Sequence, residues 1–268
     1  MDIEYKGIRM DTPHFFDLSG KTALITGGSR GLGLQIAEAL GAQGAHIILS
    51  ARHADELQTA QSHLSSLGIR AEWIAADNAQ DRDIERLAEE AIAKTGQIDI
   101  LVNNAGIALG APAEDHSVDD WDRVMNLNIR SLFLLTQKIG KYSMIPRRYG
   151  KIINVASLAG LQGNLPGWLE GIAYSTSKGA VVNFTRALAG EWGEFNITVN
   201  ALAPGFFPSA MTQNLLNRLG VDALAQKSPL RRIGDAQDLK GAAILFASDA
   251  SKYITGQILS IDGGMSAI

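Results

Sequence analysis

Tyr174 and Lys178 stand four residues apart in Tyr174-Ser175-Thr176-Ser177-Lys178. The surrounding stretch has helical periodicity, so the two side chains share one helix face. A phenol near pKa 10 exchanges protons poorly at neutral pH. An ammonium beside it favours the phenolate and lowers that value, and a cationic ring bound nearby would add to the effect. The pair is either an acid–base unit or a chance pairing of two common residues. Ser157 closes the apolar run Asn154-Val155-Ala156-Ser157. Its hydroxyl can donate to an oxygen on which negative charge develops, or it can cap a turn. Asn128, in Asn126-Leu127-Asn128-Ile129, falls inside a helical pattern where asparagine is only a middling helix former. A polar relay explains it, and so does plain solvent exposure.

A second group could cradle phosphate. Gly27-Gly28-Ser29-Arg30-Gly31-Leu32-Gly33 follows an apolar strand-like run and opens a helix-like one. Glycines at such a junction let the backbone turn tightly and approach a pyrophosphate, whose charge meets the helix N-terminus. The alternative is a glycine-rich turn without a ligand. About twenty residues further on, an NAD site ordinarily shows an acid for the ribose hydroxyl. Ser50-Ala51-Arg52 has none. Arg52, with Arg30 from the glycine loop, instead offers the planar donor pairs that suit a 2′-phosphate. NADP(H) is therefore expected over NAD, unless both arginines are ordinary surface charges. Asp77-Asn78 could meet the adenine or cap a strand. Asn103-Asn104-Ala105-Gly106 could hold a backbone or ribose close, or simply turn the chain.

These candidates need elements to hold them. The apolar pattern predicts strands at 22–27, 46–51, 71–77, 100–103, 151–156, 197–202 and 257–261. Helices are predicted at 31–43, 54–67, 81–95, from 117 to about 144, at 173–192 and at 236–248, with 206–234 irregular. Ser117-Val118-Asp119-Asp120 reads as a helix-capping box. Strand–helix alternation with continuous Val/Ile-rich strands implies an α/β fold: a single doubly wound Rossmann domain, its parallel sheet of about seven strands covered by helices on both faces. Residues 1–20 are expected as an N-terminal extension, 21–268 as one catalytic domain, and 206–232 as a substrate lid. Ligands of such folds sit beyond the carboxyl ends of the strands, and the candidate residues fall there.

Composition narrows the classes. The chain has 268 residues, a net charge of −4 and no cysteine. Disulfides, thiolate metal sites and a cysteine nucleophile are excluded. The five histidines show no paired ligand spacing, so no metal is expected. No basic run marks a nucleic-acid partner. Residues 1–20 lack the apolar core of a signal peptide, and no apolar run reaches membrane-spanning length. A cytoplasmic enzyme with a small-molecule substrate is the expectation.

Taken together, TGGSRGLG, NNAG, NLN, the serine of NVAS, YSTSK, NALAPG and the terminal IDGG resemble the short-chain dehydrogenase/reductase family. They occur in the family's order and cover nearly all the chain after residue 18. The resemblance implies Tyr174 as acid–base, with Lys178 lowering its pKa and binding the nicotinamide ribose. It implies Ser157 as the carbonyl-orienting group and Asn128 as holder of a relay water. It further implies that Pro204, Gly205, the Phe207 backbone and Ser209 contact the nicotinamide. Ser209 stands where the family usually has threonine. Ser157 and Tyr174 are also about one helical turn further apart than is usual, the extra residues falling in 161–172 with Pro166, Trp168 and Glu170. The family resemblance suggests a tetramer, or a dimer built from the long helices beginning near 121 and 173.

For the substrate, the stretch from Ile172 to Thr212 looks like gluconate 5-dehydrogenase-like members of that family, which implies a gluconate/5-ketogluconate type of sugar acid. A carboxylate then calls for a cation, and Arg218, Arg231 and Arg232 are the candidates. Phe206, Phe207, Leu161, Leu165, Trp168 and Met211 would instead line an apolar pocket, which favours a 3-oxoacyl thioester or apolar ketone reductase. A third reading is a non-catalytic NADP-binding sensor on the same fold.

Overall fold

A computed structural model describes residues 15–163 and 171–268. Leu165, Pro166, Trp168 and Glu170 lie outside the described residues. Seven apolar runs form strands: β1 (Thr22–Thr26), β2 (His46–Ala51), β3 (Ala71–Ala75), β4 (Ile100–Asn103), β5 (Gly150–Val155), β6 (Ile197–Pro204) and β7 (Ile258–Ile261). They make one parallel sheet in the order β3-β2-β1-β4-β5-β6-β7. Alternate side chains point to opposite faces. Ala23, Ile25, Ile47, Leu49, Ile100, Val102 and Ile153 enter one core layer. Leu24, Ile48, Leu101 and Ile152 enter the other.

The first layer is closed by α1 (Gly31–Ala42), α2 (Ala54–Ser66) and α10 (Lys240–Ala247), through residues such as Ile36, Leu40, Leu57, Leu64 and Phe246. The second is closed by α3 (Asp81–Thr95), α5 (Ser131–Ile139) and α7 (Ile172–Trp192), through Ile84, Leu87, Leu135, Ile139 and Leu188. Each fully buried Leu or Ile contributes about 1.5–3 kcal/mol, so the strand alternation specifies which helices lie on which face. Strand order reverses between β1 and β4, and a crevice opens there at the carboxyl ends.

A polar seam crosses the second layer. Asn103 Nδ2 donates to Thr136 Oγ1 and to Asn154 Oδ1, each at 2.9 Å, and Asn154 Nδ2 donates to Thr185 Oγ1 at 3.0 Å. All four residues are buried. Satisfied in this way, they fix the register of β4 and β5 against α5 and α7.

Several boundaries differ from the sequence expectation. The segment after Ser117 runs as α4 (Val118–Met125), a π-turn (Asn126–Arg130), α5, a second π-turn (Gly140–Met144) and α6 (Ile145–Arg147). Ser117 caps it, its Oγ accepting the Asp120 N–H at 3.1 Å. Each π-turn inserts a residue, which hydrophobic periodicity cannot reveal. The region 206–234 is not irregular throughout: it contains α8 (Gln213–Leu219) and α9 (Val221–Ala225), anchored by buried Leu216 and Leu224. These helices are too short for their period to register. The last long helix starts at Lys240 rather than 236, because the Asp238 carboxylate accepts the Asp235 N–H and folds that segment into a turn. Strand β6 runs past 202 to Pro204, which pairs with Ile261, while β3 stops at Ala75, short of the expected 77.

Gly140, in the second π-turn, abuts α7 so closely that a Cβ there would stand 2.1 Å from Trp192 Cη2. Gly140→Ala is predicted to lower folding stability by about 1–3 kcal/mol. A urea-unfolding midpoint equal to wild type would show that the Trp192 ring yields without cost.

Candidate active site

The loop from Gly27 to Gly33 joins β1 to α1 at the crevice. Gly31 has φ +57, a conformation that a side chain disfavours. Gly33 packs so tightly that a Cβ would meet the Gly27 carbonyl oxygen at 2.2 Å. Opposite, Asn104 Nδ2 donates to Thr26 O at 2.9 Å and Gly27 O at 3.0 Å. The cleft so formed has a volume of about 520 Å³. Gly27, Ser29, Arg30, Gly31, Leu32, Arg52, Asp77, Asn78, Asn104, Ala105, Gly106, Ser157, Tyr174, Lys178, Pro204, Gly205, Phe207 and Ser209 all line it. Gly33 and Asn128 stand just behind the wall.

The cleft fits a dinucleotide by its own chemistry. The α1 N-terminus and the glycine turn face it, which suits a pyrophosphate. Asn78 is buried, yet its Oδ1 has no hydrogen-bond partner among the described residues. An unpaired buried acceptor is costly, and an adenine amino group would satisfy it. Arg52 stands at the same end. Arg30 does as well, but it is already engaged: Nη1 donates to Glu56 Oε1 at 2.8 Å, and Ser29 Oγ donates to Glu56 Oε2 at 3.0 Å. Glu56 is a residue that sequence reasoning passed over, because it lies on the first turn of α2, five residues beyond the strand end where the acid was sought.

At the other end, Ser157, Tyr174 and Lys178 come together. The Ser157 hydroxyl is hydrogen-bonded to the Tyr174 phenol. It also accepts the Ala159 N–H at 3.1 Å, so it caps a turn as well. Lys178 Nζ donates to Val155 O at 2.7 Å and sits 5.7 Å from the Tyr174 ring centroid. The Tyr174 pKa departs from expectation. Burial pushes the phenol above its ordinary value, offset only in part by the Ser157 hydrogen bond. Burial also lowers Lys178, from 10.5 to about 8, so it still carries its proton at neutral pH. In this state the phenol is protonated at neutral pH.

Asn128 is buried and its side chain is committed. Oδ1 accepts the Ile107 N–H at 2.8 Å, and Nδ2 donates to Ile107 O and Ser177 Oγ, each at 2.9 Å. It latches the segment after Gly106. A smaller cavity of about 210 Å³ joins the cleft through Ser157, Tyr174, Pro204, Gly205, Met211 and Thr212. Leu158, Phe206, Met211, Leu215 and Met265 supply its apolar wall, with Gln162 and Lys227 as further polar members. The arginines expected here lie elsewhere. Arg232 pairs with Asp238, Arg231 donates to Gln226 O, and Arg218 lines neither cavity. Leu161 does not line the smaller cavity either. Lys227 was not singled out from sequence because nothing in the local pattern separates it from surface lysines.

A family model described as enoyl-(acyl carrier protein) reductase matches residues 27–266. With the doubly wound sheet and the Ser157–Tyr174–Lys178 grouping, the chain belongs to the short-chain dehydrogenase/reductase family and is an oxidoreductase of that family. Gluconate 5-dehydrogenase of Gluconobacter oxydans (strain 621H) is 41% identical over 261 residues, covering 96% of this chain and 99% of that protein. The 2-dehydro-3-deoxy-D-gluconate 5-dehydrogenase of Bacillus subtilis (strain 168) is 41% identical over 253 residues, covering 93% and 96%. Among solved structures, a gluconate 5-dehydrogenase from Burkholderia cenocepacia J2315 in complex with NADP and tartrate superposes with a TM-score of 0.89. It is 35% identical, with coverage of 95% of this chain and 98% of that one.

The buried Lys178 makes stability depend on pH. Its pKa is lowered from 10.5 to about 8 in the fold. Below about 8 both states carry the proton, and the folded state bears the full cost of a desolvated charge. Between about 8 and 10.5 only the unfolded chain carries it, so this group's contribution improves as pH rises. Lys178→Met is predicted to remove that rise. The difference in unfolding free energy between wild type and variant, followed by urea denaturation from pH 7 to 10, should shift by about 2 kcal/mol. A constant difference would refute it.

Proposed function

We propose that this chain is an NADP(H)-dependent enzyme interconverting a secondary alcohol and a ketone, with a sugar acid of the gluconate/5-ketogluconate type as substrate. The observation that carries the reading is the meeting of Ser157, Tyr174 and Lys178 where the dinucleotide-sized cleft opens into the smaller cavity. When bound, the nicotinamide supplies or accepts the hydride. Tyr174 delivers a proton to the carbonyl oxygen in reduction and removes it in oxidation. Burial keeps it protonated, the form that donates in reduction. Ser157 donates to the same oxygen and steadies the developing charge. Lys178, with donors left beyond the Val155 bond, holds the ribose and favours the phenolate left after transfer.

Asn128 has its side chain tied to Ile107 and Ser177, so a relay water would be held by its main chain, within the π-turn. Gly27, Ser29, Gly31, Leu32 and Gly33 hold the pyrophosphate, and Asp77 and Asn78 the adenine. Arg52 and Arg30 take the 2′-phosphate. Asn104, Ala105 and Gly106 hold the ribose side, while Pro204, Gly205, Phe207 and Ser209 hold the nicotinamide. Residues 206–232 serve as a lid, since Met211, Thr212, Leu215 and Lys227 overhang the smaller cavity. A cytoplasmic place suits an enzyme that draws on a soluble dinucleotide. Phe133 is 45% exposed and stacks edge-on against Phe184, on helices α5 and α7, which supports assembly into a dimer or tetramer through those faces.

The sugar-acid choice rests on Lys227, the one cation lining the smaller cavity among the described residues, and on the names of the relatives. The apolar wall of Leu158, Phe206, Met211 and Leu215 favours a second reading, a 3-oxoacyl thioester or apolar ketone reductase, in line with the family model's description.

Tyr174→Phe is predicted to lower kcat by about 10²–10⁴-fold while NADPH binding by fluorescence titration stays intact. Unchanged carbonyl reduction would remove Tyr174 from its role, and binding without turnover in wild type across a carbonyl panel would favour the sensor. In that panel 5-ketogluconate should outperform acetoacetyl thioester and simple ketones. Lys227→Met should raise KM for 5-ketogluconate roughly tenfold or more with a smaller change in kcat.

A further inference from the structure

The donors at the 2′-phosphate end of the cleft already hold an anion, and it belongs to the protein. Ser29 Oγ and Arg30 Nη1 each donate to a different oxygen of the Glu56 carboxylate, at 3.0 and 2.8 Å. All three residues line the cleft together with Arg52. A hydroxyl and a guanidinium fork are what a phosphate monoester would recruit. The carboxylate thus occupies the coordination that the dinucleotide's 2′-phosphate requires. Glu56 is held there by the backbone as well, since it sits on the first turn of α2, where a negative charge is favourable.

We infer that Glu56 is a cofactor-selecting residue: its carboxylate competes with the 2′-phosphate for Ser29 and Arg30, and so narrows the preference for NADPH over NADH. The inference rests on the NADP(H) reading above and adds a residue that opposes it. Binding of a 2′-phosphate breaks the Arg30–Glu56 pair and brings a dianion beside a carboxylate. Binding of an unphosphorylated ribose does neither, and Glu56 can then accept a hydrogen bond from the 2′-hydroxyl. The acid missing from the end of β2 is in this way supplied from α2. The pair is partly solvated, with the Arg30 side chain 64% and the Glu56 side chain 30% exposed. Its loss therefore has a moderate effect, and the added repulsion between like charges enlarges it.

The test uses binding alone. Adenosine 2′,5′-bisphosphate and adenosine 5′-monophosphate differ only in the 2′-phosphate, and their Kd values for the full chain can be measured by calorimetry. Glu56→Gln keeps the shape and removes the charge. It should tighten the bisphosphate roughly tenfold and leave the monophosphate within about twofold. Glu56→Ala should act in the same direction, and equal thermal midpoints in the free state would show that each variant is folded. A preference for the bisphosphate over the monophosphate, taken as the monophosphate Kd divided by the bisphosphate Kd, that equals wild type in both variants or is smaller than wild type overturns the inference while leaving the 2′-phosphate clamp in place. If the wild type and both variants bind the two probes equally, the clamp itself fails and the inference falls with it.

Discussion

The stitch between the ends of β1 and β4 is the constraint on which the site depends. Thr26 Oγ1 accepts the N–H groups of Asn104 and Ala105, each at 3.1 Å, while Asn104 Nδ2 returns two bonds to the carbonyls of Thr26 and Gly27. Four hydrogen bonds join two loops at the point where strand order reverses. They set the width of the crevice, and the close approach of Gly33 to Gly27 sets its floor. Any loosening there would shift the glycine loop relative to Ser157, just after β5, and to Tyr174 and Lys178 on α7.

Those reacting groups are held at some expense to folding. Lys178 is buried and donates to the Val155 carbonyl, and burial opposes both its charge and the ionisation of Tyr174. A fold optimised for stability alone would place apolar residues there. The second layer compensates nearby. Asn128 latches Ile107 and reaches Ser177 on α7, and the Asn103–Asn154–Thr185 seam ties β4 and β5 to the same helix. Tyr174 and Lys178 thus project from a helix that is fixed from several directions.

The two ends of the cleft differ in electrostatic character. One end carries Arg52 and Arg30, the latter answered by the Glu56 carboxylate, with the Asn78 amide oxygen lacking a partner among the described residues. Among the described residues, Lys227 is the one charged side chain lining the smaller cavity.

Much of this was legible in the residues themselves. Continuous apolar runs such as Ala23–Ile25 and Ile47–Leu49 specify buried parallel strands, because only a sheet covered on both faces buries every side chain. The spacing of Tyr174 and Lys178 specifies a shared helix face, and the glycines at 27, 31 and 33 specify a turn of close approach. Local sequence did not reveal the two π-turns, the short helices in 213–225, the upward shift of the Tyr174 phenol, or the parts of Glu56 and Lys227. Register, helical phase and alternation are properties of neighbouring residues, and those a sequence determines alone. Desolvation, the partner of a charge and the lining of a cavity depend on atoms brought together from distant segments, and those only the tertiary structure decided.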